Sequence, residues 1–369
     1  MERILVIGGL LTVGALLGAC SAGGARGKDA ESFPDFFRGV IVPMVTPYAG
    51  EQAEEVDHAA MARFVDYLCS TDAAGLFPCS GMGQWPLLSA EERKALIDTC
   101  VQAAQGRKPI LAGVGSDHNI EEVLEVALYA VEKGVDAVVV VTPSFVRREQ
   151  PVGDEEEAGA ELATYDHYPH DGRQRIRDQE ILFRYYDRIA AAVAPVHLVV
   201  YDPMPELAPQ TMGRLVRARP NVKGMKFRET KDMANFAAMV EAVEGRCAIL
   251  SGSEYVTVET MRAGAVGVVG GGPNVYPDLA ARLVEACAEG NWERAAELQR
   301  EVSEACDLMG QLGGGSLGAK RVLDEVIGVE MEVSNRGAGR QEGSVDPATL
   351  AVFERMELAK YRPAQADSP

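Results

Sequence analysis

From Gly39 onwards the chain alternates between two hydrophobic periods. Short continuous apolar runs cover 39–48, 75–80, 109–115, 136–145, 196–201, 222–227, 247–253 and 265–271. Between and after them, apolar residues recur at helical spacing over 57–69, 90–104, 120–133, 180–193, 211–219, 233–243, 256–263 and 277–288. Runs such as Ala137-Val138-Val139-Val140-Val141 suit strands covered on both faces, which is what a parallel sheet requires. Eight strand-helix units in succession predict an α/β protein, a (β/α)8 TIM barrel, with a doubly wound sheet as the alternative. Ser89-x-x-Glu92 and Asn119-x-x-Glu122 read as capping boxes that open two of the helices. Further helical periods at 292–312 and 318–327 add C-terminal helices, so the barrel with its additions spans 36–328. Residues 329–369 read as a mostly polar tail, with one helical stretch at 347–360.

One interval breaks the rhythm. Residues 146–178 separate the fourth strand from its helix and carry Asp154-Glu155-Glu156-Glu157 and Asp166-His167-Tyr168-Pro169-His170-Asp171. A connection of that length in a compact domain is usually functional or disordered, and in a barrel it belongs to the face where active sites form. His167 and His170 with Asp166 and Asp171 are metal-ligand types. A solvated polar loop is the ordinary outcome for such a cluster, and neither a metal nor a cofactor is expected.

Charge narrows the partners. The 369 residues have a formal net charge of -19, which excludes the clustered Lys and Arg needed for nucleic acid or for a polybasic membrane patch. The seven cysteines form no C-x-x-C pair, so neither a zinc site nor a disulfide framework is predicted; Cys69, Cys100, Cys287 and Cys306 fall in helical patterns as small buried hydrophobes. At the start of the chain, Arg3, an apolar run over 4–17 and Leu17-Gly18-Ala19-Cys20 resemble a bacterial lipoprotein signal. That resemblance implies a signal segment at 1–20, lipidation of Cys20, a flexible tether at 21–35 and a membrane-anchored, extracytoplasmic protein. A cytoplasmic location is the alternative, because the n-region holds a single Arg beside Glu2 and the cysteines look reduced.

The candidate chemistry centres on Val222-Lys223-Gly224-Met225-Lys226-Phe227. Lys226 stands where a strand ends among apolar neighbours, and a lysine that attacks carbonyls acts as the free amine, which such surroundings favour. A strand-end lysine can also snorkel to solvent. In a barrel, however, the carboxyl ends of the strands converge, bringing Ser80-Gly81-Met82-Gly83, Tyr201 and Ser251-Gly252-Ser253 to Lys226. A Schiff-base enzyme needs an amine, an acid/base beside it, and donors for a substrate carboxylate; Lys226, Tyr201 and the glycine turn supply those types. Gly270-Gly271-Gly272 with Ser251-Gly252-Ser253 could instead cradle a phosphate, although neither turn brings a Lys or Arg.

Several motifs in order resemble the pyruvate-dependent class I aldolases that include dihydrodipicolinate synthase and N-acetylneuraminate lyase. They are Val42-Pro43-Met44-Val45-Thr46-Pro47, Gly83-Gln84 with Leu88-Ser89-x-Glu91-Glu92-Arg93, Ala112-Gly113-Val114-Gly115-Ser116 and Val141-Thr142-Pro143. Val200-Tyr201-Asp202, Gly224-Met225-Lys226, Leu250-Ser251-Gly252, Gly267-Val268-Val269 and Asn274-Val275-x-Pro277 follow. The resemblance implies Lys226 as the Schiff-base lysine, Tyr201 as the catalytic tyrosine, and Ser80, Gly81, Met82 and Gly252 as substrate-binding positions. It also implies a homodimer or homotetramer. The family's Gly-Thr-Thr-Gly-Glu turn is Ser80-Gly81-Met82-Gly83-Gln84 here, so both threonine hydroxyls are missing. The tyrosine pair after the fourth strand is Ser144-Phe145, and Glu206 stands where the synthases carry a carboxylate-binding arginine. The expected activity is therefore a lyase making or breaking a C–C bond beside a 2-oxo acid such as pyruvate, with an aldehyde partner, and not a true dihydrodipicolinate synthase. A Schiff-base dehydratase of a sugar acid and an impaired, tethered ligand-binding module are the alternatives.

Overall fold

The computed structural model describes residues 33–115, 119–143, 147–150, 174–177, 179–341, 343 and 346–355. The signal segment 1–20 with Cys20, residues 21–32 of the 21–35 tether, most of the 146–178 insertion with its His167 and His170, Ser144 and Phe145, and the chain end past 355 lie outside the described residues.

Eight parallel strands close on themselves. In chain order they are β1 (Ile41–Pro43), β2 (Gly75–Phe77), β3 (Leu111–Gly113), β4 (Ala137–Val141), β5 (His197–Asp202), β6 (Val222–Phe227), β7 (Ala248–Ser251) and β8 (Gly267–Val268). Regular ladders join β1 to β2 and run continuously from β3 to β8. Single parallel bridges, Leu76 to Ile110 and Val40 to Val268, complete the circuit. Every predicted apolar run supplies one of these strands. Closure leaves the barrel itself without an open edge.

Helices α1 (His58–Cys69), α2 (Ala90–Ala104), α3 (Ile120–Glu132), α4 (Gln179–Val193), α5 (Pro209–Ala218), α6 (Met233–Ala242), α7 (Thr257–Arg262) and α8 (Pro277–Ala288) alternate with the strands. The Ser89 box forms as predicted, with Ser89 and Glu92 side chains each accepting the other's backbone N–H. Asn119 also caps, through Glu121 N–H, but the Glu122 carboxylate pairs with the buried Arg93 instead of closing a box. Then follow α9 (Trp292–Gln311), α10 (Gly315–Val322) ending in a π-helical turn at Leu323–Ile327, and α11 (Pro347–Arg355). Among the described residues no helix is long and apolar enough to cross a membrane.

Strand alternation sorts the core into two layers. Val138, Val140, Leu198, Val200, Met225 and Ile249 face the helices, while Ile41, Phe77, Leu111, Val139, Val199 and Leu250 fill the barrel. Phe37, on a 3-10 turn at Asp35–Arg38, joins the inner layer. A Cβ on Gly224 would stand 2.9 Å from its ring, so β6 needs glycine there.

Two expectations change. Residues 329–341 are not a free polar tail: Val329, Met331 and Ser334 are buried, and Ser334–Asn335 pairs antiparallel with Gly339–Arg340. Among the helical cysteines only Cys100 and Cys287 are buried; Cys69 and Cys306 are half-buried, and all six described cysteines are free thiols. The base of the insertion is itself a ladder, Arg147–Gln150 against Gln174–Arg177.

Candidate active site

Register places the central pair. β6 pairs with β5 so that Lys226 lies beside Tyr201, and β4 sets Val141 beside Tyr201 on the other flank. Because Met225 and Phe227 face the helices, Gly224 and Lys226 point inward, as do Val199 and Tyr201 on β5. Lys226 is 7% exposed, with Nζ 4.4 Å from the centre of the Tyr201 ring and 5.9 Å from that of Phe77. Ring contacts are its only polar interactions among the described residues, so the amine is not tied up by a carboxylate. An amine held over an aromatic face and otherwise uncommitted is placed to attack a carbonyl carbon entering the barrel mouth.

The turn after β2 forms the opposite wall. Ser80 is fully buried; its Oγ donates to Met44 O at 2.9 Å and accepts from Gly83 N–H at 3.2 Å. Ser80 therefore shapes the turn from beneath, its hydroxyl engaged on both sides by the backbone of the turn and of the loop after β1. Gly81 and Met82 differ: neither backbone N–H has an acceptor among the described residues. Two adjacent free N–H groups at a barrel mouth can receive a carboxylate. A Cβ on Gly81 would find one heavy atom within 4 Å, the Tyr201 hydroxyl oxygen at 3.9 Å. The Met82 side chain lies against Gly271 and Gly315, its sulfur 2.9 Å from where a Gly271 Cβ would be and 3.5 Å from that of Gly315.

Gly252 serves packing. Its N–H donates to Phe227 O at 2.9 Å, and a Cβ there would meet Arg228 at 2.9 Å. What Gly252 can offer a ligand is its carbonyl. The phosphate cradle considered for the glycine turns is closed by an acid: buried Glu254 accepts from Gly272 N–H at 2.7 Å and from the Cys306 thiol at 3.5 Å. Its other oxygen stands 2.4 Å from where a Gly270 Cβ would be. A carboxylate already fills the place an anion would take.

Glu206 follows β5 in a loop held by Asp202. Asp202 is fully buried; one oxygen accepts from Glu206 and Leu207 N–H, both at 2.8 Å, and the other from Thr142 Oγ1 at 3.1 Å. Burial pushes its carboxyl up to about 7, against the lowering effect of those three donors; nearby Glu206 adds to the rise. Thr142 also bonds the Tyr186 hydroxyl at 2.8 Å, and its N–H donates to Tyr201 O at 2.8 Å. Thr142, Tyr186 and Asp202 thus fix the strand end that presents Tyr201.

Sequence reasoning missed Asp202 and Glu254 as buried acids, and it missed Lys320. Asp202 had a signal: an acid directly after five consecutive strand residues, ahead of Pro203 and Pro205. Lys320 shares a helical face with Leu317, Leu323 and Ile327, the mark of a cation inside. It is fully buried, and burial pushes its amine down to about 7 while Ser334 O and Asn335 Oδ1 accept from it. Among the described residues no group of His, Cys, Asp and Glu could hold a metal ion.

Comparison with known proteins bears on the family and the fold. The sequence profile of the Dihydrodipicolinate synthetase family matches residues 36–154 and 176–335, omitting the middle of the insertion and everything after Asn335. The 4-hydroxy-tetrahydrodipicolinate synthase of Brucella abortus biovar 1 is 31% identical over 71% of this chain and 79% of its own. That of Rhizobium meliloti is 29% identical over 86% of this chain and 96% of its own. Among solved structures, dihydrodipicolinate synthase from Aquifex aeolicus superposes with a TM-score of 0.68 at 21% identity, over 89% of this chain and all of that one. A prophage protein of the same family from E. coli K12, in complex with pyruvate, gives 0.65 at 21% identity, over 87% of this chain and 98% of that one. These structures establish the barrel with its C-terminal helices. The chain belongs to the dihydrodipicolinate synthetase family of Schiff-base, class I aldolase-type lyases.

Proposed function

We propose that the protein is a lyase that makes or breaks a carbon–carbon bond beside a 2-oxo acid, pyruvate being the simplest, and that it is not a dihydrodipicolinate synthase. The observation that carries this reading is the Lys226 amine 4.4 Å from the Tyr201 ring, with the Tyr201 hydroxyl beside Gly81. The free N–H groups of Gly81 and Met82 would receive the carboxylate. Nζ of Lys226 adds to the C2 carbonyl, the carbinolamine loses water, and the imine results. Tyr201 is the group within reach to carry protons to the departing oxygen and to the aldehyde oxygen formed or consumed at the C–C step. Loss of a C3 proton gives the enamine that attacks an aldehyde; the reverse sequence cleaves the bond.

Glu206 argues against aspartate semialdehyde as that aldehyde, since bringing like charges together at a partly desolvated site costs several kcal/mol, on the order of 100-fold or more in discrimination. The test is mass spectrometry after borohydride reduction with pyruvate, followed by an aldehyde panel. A reduced adduct on Lys226 without dihydrodipicolinate synthase activity is expected. Robust condensation with aspartate semialdehyde would place the second substrate elsewhere in the pocket. Gly81, which puts no hydroxyl beside Tyr201, favours a second reading: a sugar-acid dehydratase, or a tethered module that binds its ligand without turnover. Adduct formation with no product from any aldehyde or sugar acid would select the module.

Two further parts of the reading concern the whole protein. Leu17-Gly18-Ala19-Cys20 supports anchoring through a lipidated Cys20, and Cys20→Ala should move the protein from the membrane to the soluble fraction. Intact Met1 on cytosolic protein would remove that reading. The family supports a homodimer or homotetramer, which light scattering measures directly.

A further inference from the structure

Residues 329–341 cross the molecule as a strap, and its grip falls on the turn proposed to receive the carboxylate. Arg336 is the centre of that grip. Its backbone makes a reciprocal pair with Gln84: Arg336 N–H donates to Gln84 Oε1 and Gln84 Nε2 donates to Arg336 O, both at 3.2 Å. Gln84 sits in the left-handed region at φ 57, a conformation that a non-glycine residue keeps only when its surroundings hold it. The Arg336 guanidinium then uses all five of its N–H groups. Nε donates to Ala53 O at 3.3 Å, one terminal nitrogen to Leu87 O and Glu92 Oε2 at 2.8 Å each, and the other to Glu54 O at 2.8 Å and Glu92 Oε1. Glu92, held at about 2 mainly by its hydrogen bonds from Arg336, stays ionised at any ordinary pH, so the clasp does not open by titration.

The strap itself is anchored one and two residues earlier, where buried Lys320 donates to Ser334 O and to Asn335 Oδ1 at 2.9 Å. Tyr48 lies between the two cations, with Lys320 Nζ 4.7 Å and Arg336 Cζ 5.0 Å from its ring centre. Its hydroxyl donates to Gly83 O at 3.3 Å. The turn Ser80–Gln84 is therefore held from outside at Gly83 and at Gln84, the two residues that directly follow the free N–H groups of Gly81 and Met82.

We propose that Arg336 is a positioning residue for substrate recognition: the strap sets the aim of the Gly81 and Met82 N–H groups at a 2-oxo acid's carboxylate. This rests on the reading of the pocket as a 2-oxo-acid site. Arg336 acts through Gln84 and Glu92 and touches no reacting atom. Releasing it leaves Lys226 and Tyr201 on their strands, because β5 and β6 are fixed by their own ladder.

The experiment measures borohydride-trapped adduct on Lys226 against concentration for pyruvate and for acetone, a ketone with no carboxylate. It uses the full chain, its Arg336→Met, Arg336→Lys and Glu92→Gln variants, and a melting curve for each. Arg336→Met should raise the half-saturating pyruvate concentration roughly 10-fold or more, the scale of misplacing a recognition group by a fraction of an ångström, and leave acetone trapping unchanged. Arg336→Lys should fail to restore it, because an ammonium cannot reproduce a five-bond planar fork, and Glu92→Gln should give a smaller rise. Equal effects on pyruvate and acetone, or no effect on either, in variants that melt as folded proteins would overturn the proposal; if Arg336→Met does not fold, the other two variants decide it. Absence of any pyruvate adduct in the unmodified protein overturns the pocket reading and the strap proposal together, whereas adducts without carboxylate dependence overturn the strap alone.

Discussion

The two walls of the candidate site are built by different means. On the β5–β6 wall, Lys226 and Tyr201 are neighbours in a parallel ladder, each pointing inward because its strand alternates. Nothing outside the barrel is needed to place them. On the Ser80–Gln84 wall there is no ladder beyond Phe77, and the turn is fixed by contacts far apart in sequence: Met44 below it, Tyr48 at Gly83 and Arg336 at Gln84. The proposed chemistry thus rests on a stiff wall held by its own ladder. The proposed recognition rests on a turn whose shape a distant segment sets, so it can change while the amine stays where it is.

The largest expected effect tests the stiff wall. Lys226→Ala should abolish the reducible pyruvate adduct, read as intact mass, with the barrel unaltered by circular dichroism; an adduct that persists on another lysine breaks the assignment. Tyr201→Phe should follow with a loss in turnover of roughly 10²–10⁴-fold, the usual scale for a general acid/base. An unchanged rate would leave Tyr201 as the aromatic floor beneath Lys226 and nothing more.

The same contrast explains what could be read from the sequence. Continuous β-branched runs such as Ala137–Val141 announce strands buried on both faces, and the position of Lys226 in its run predicts its place and direction. Those are local properties. Arg336 had no such signal, since its short polar surroundings look like a solvated tail and its partners Gln84 and Glu92 lie more than 240 residues earlier. Ser80 and Gly252 were legible as positions but not in role. Each follows a strand end, yet the Ser80 hydroxyl is turned under its turn by Met44, and the Gly252 N–H is taken by Phe227 O. Which way a turn faces depends on side chains that periodicity does not see.

A smaller effect sharpens the contrast from the recognition side. Gly81→Thr places a hydroxyl where its Cβ stands 3.9 Å from the Tyr201 hydroxyl and meets no other heavy atom within 4 Å, so the fold should accept it. A hydroxyl there can bond Tyr201 and carry a proton, and turnover with pyruvate and a matched aldehyde should rise several-fold while the half-saturating pyruvate concentration stays within about 2-fold. A loss of activity at unchanged stability would mean that the space beside Tyr201 is reserved for substrate.

The smallest effect concerns how the stiff wall ends. The Asp202 carboxyl is pushed from its ordinary 3.8 up to about 7 by burial. Between those values the folded protein holds a proton that the unfolded chain has released, so this group makes stability fall as pH rises from about 4 to about 7, and adds no further slope above that. Lys320, pushed down to about 7 from 10.5, has the opposite consequence in a separate window: the unfolded chain holds the extra proton, and stability rises with pH between about 7 and about 10.5. The two slopes can therefore be read apart. Asp202→Asn keeps the geometry, since the amide oxygen can accept from Glu206 and Leu207 N–H and the amide nitrogen can donate to Thr142 Oγ1. It removes only the titration. The melting temperature of the variant should lose its decline between about pH 4 and pH 7, a difference of a few degrees, and keep its shape above pH 7. If the decline persists unchanged in Asp202→Asn, the carboxyl is ionised throughout, and the end of β5 is held by a buried charge fully balanced by its three donors.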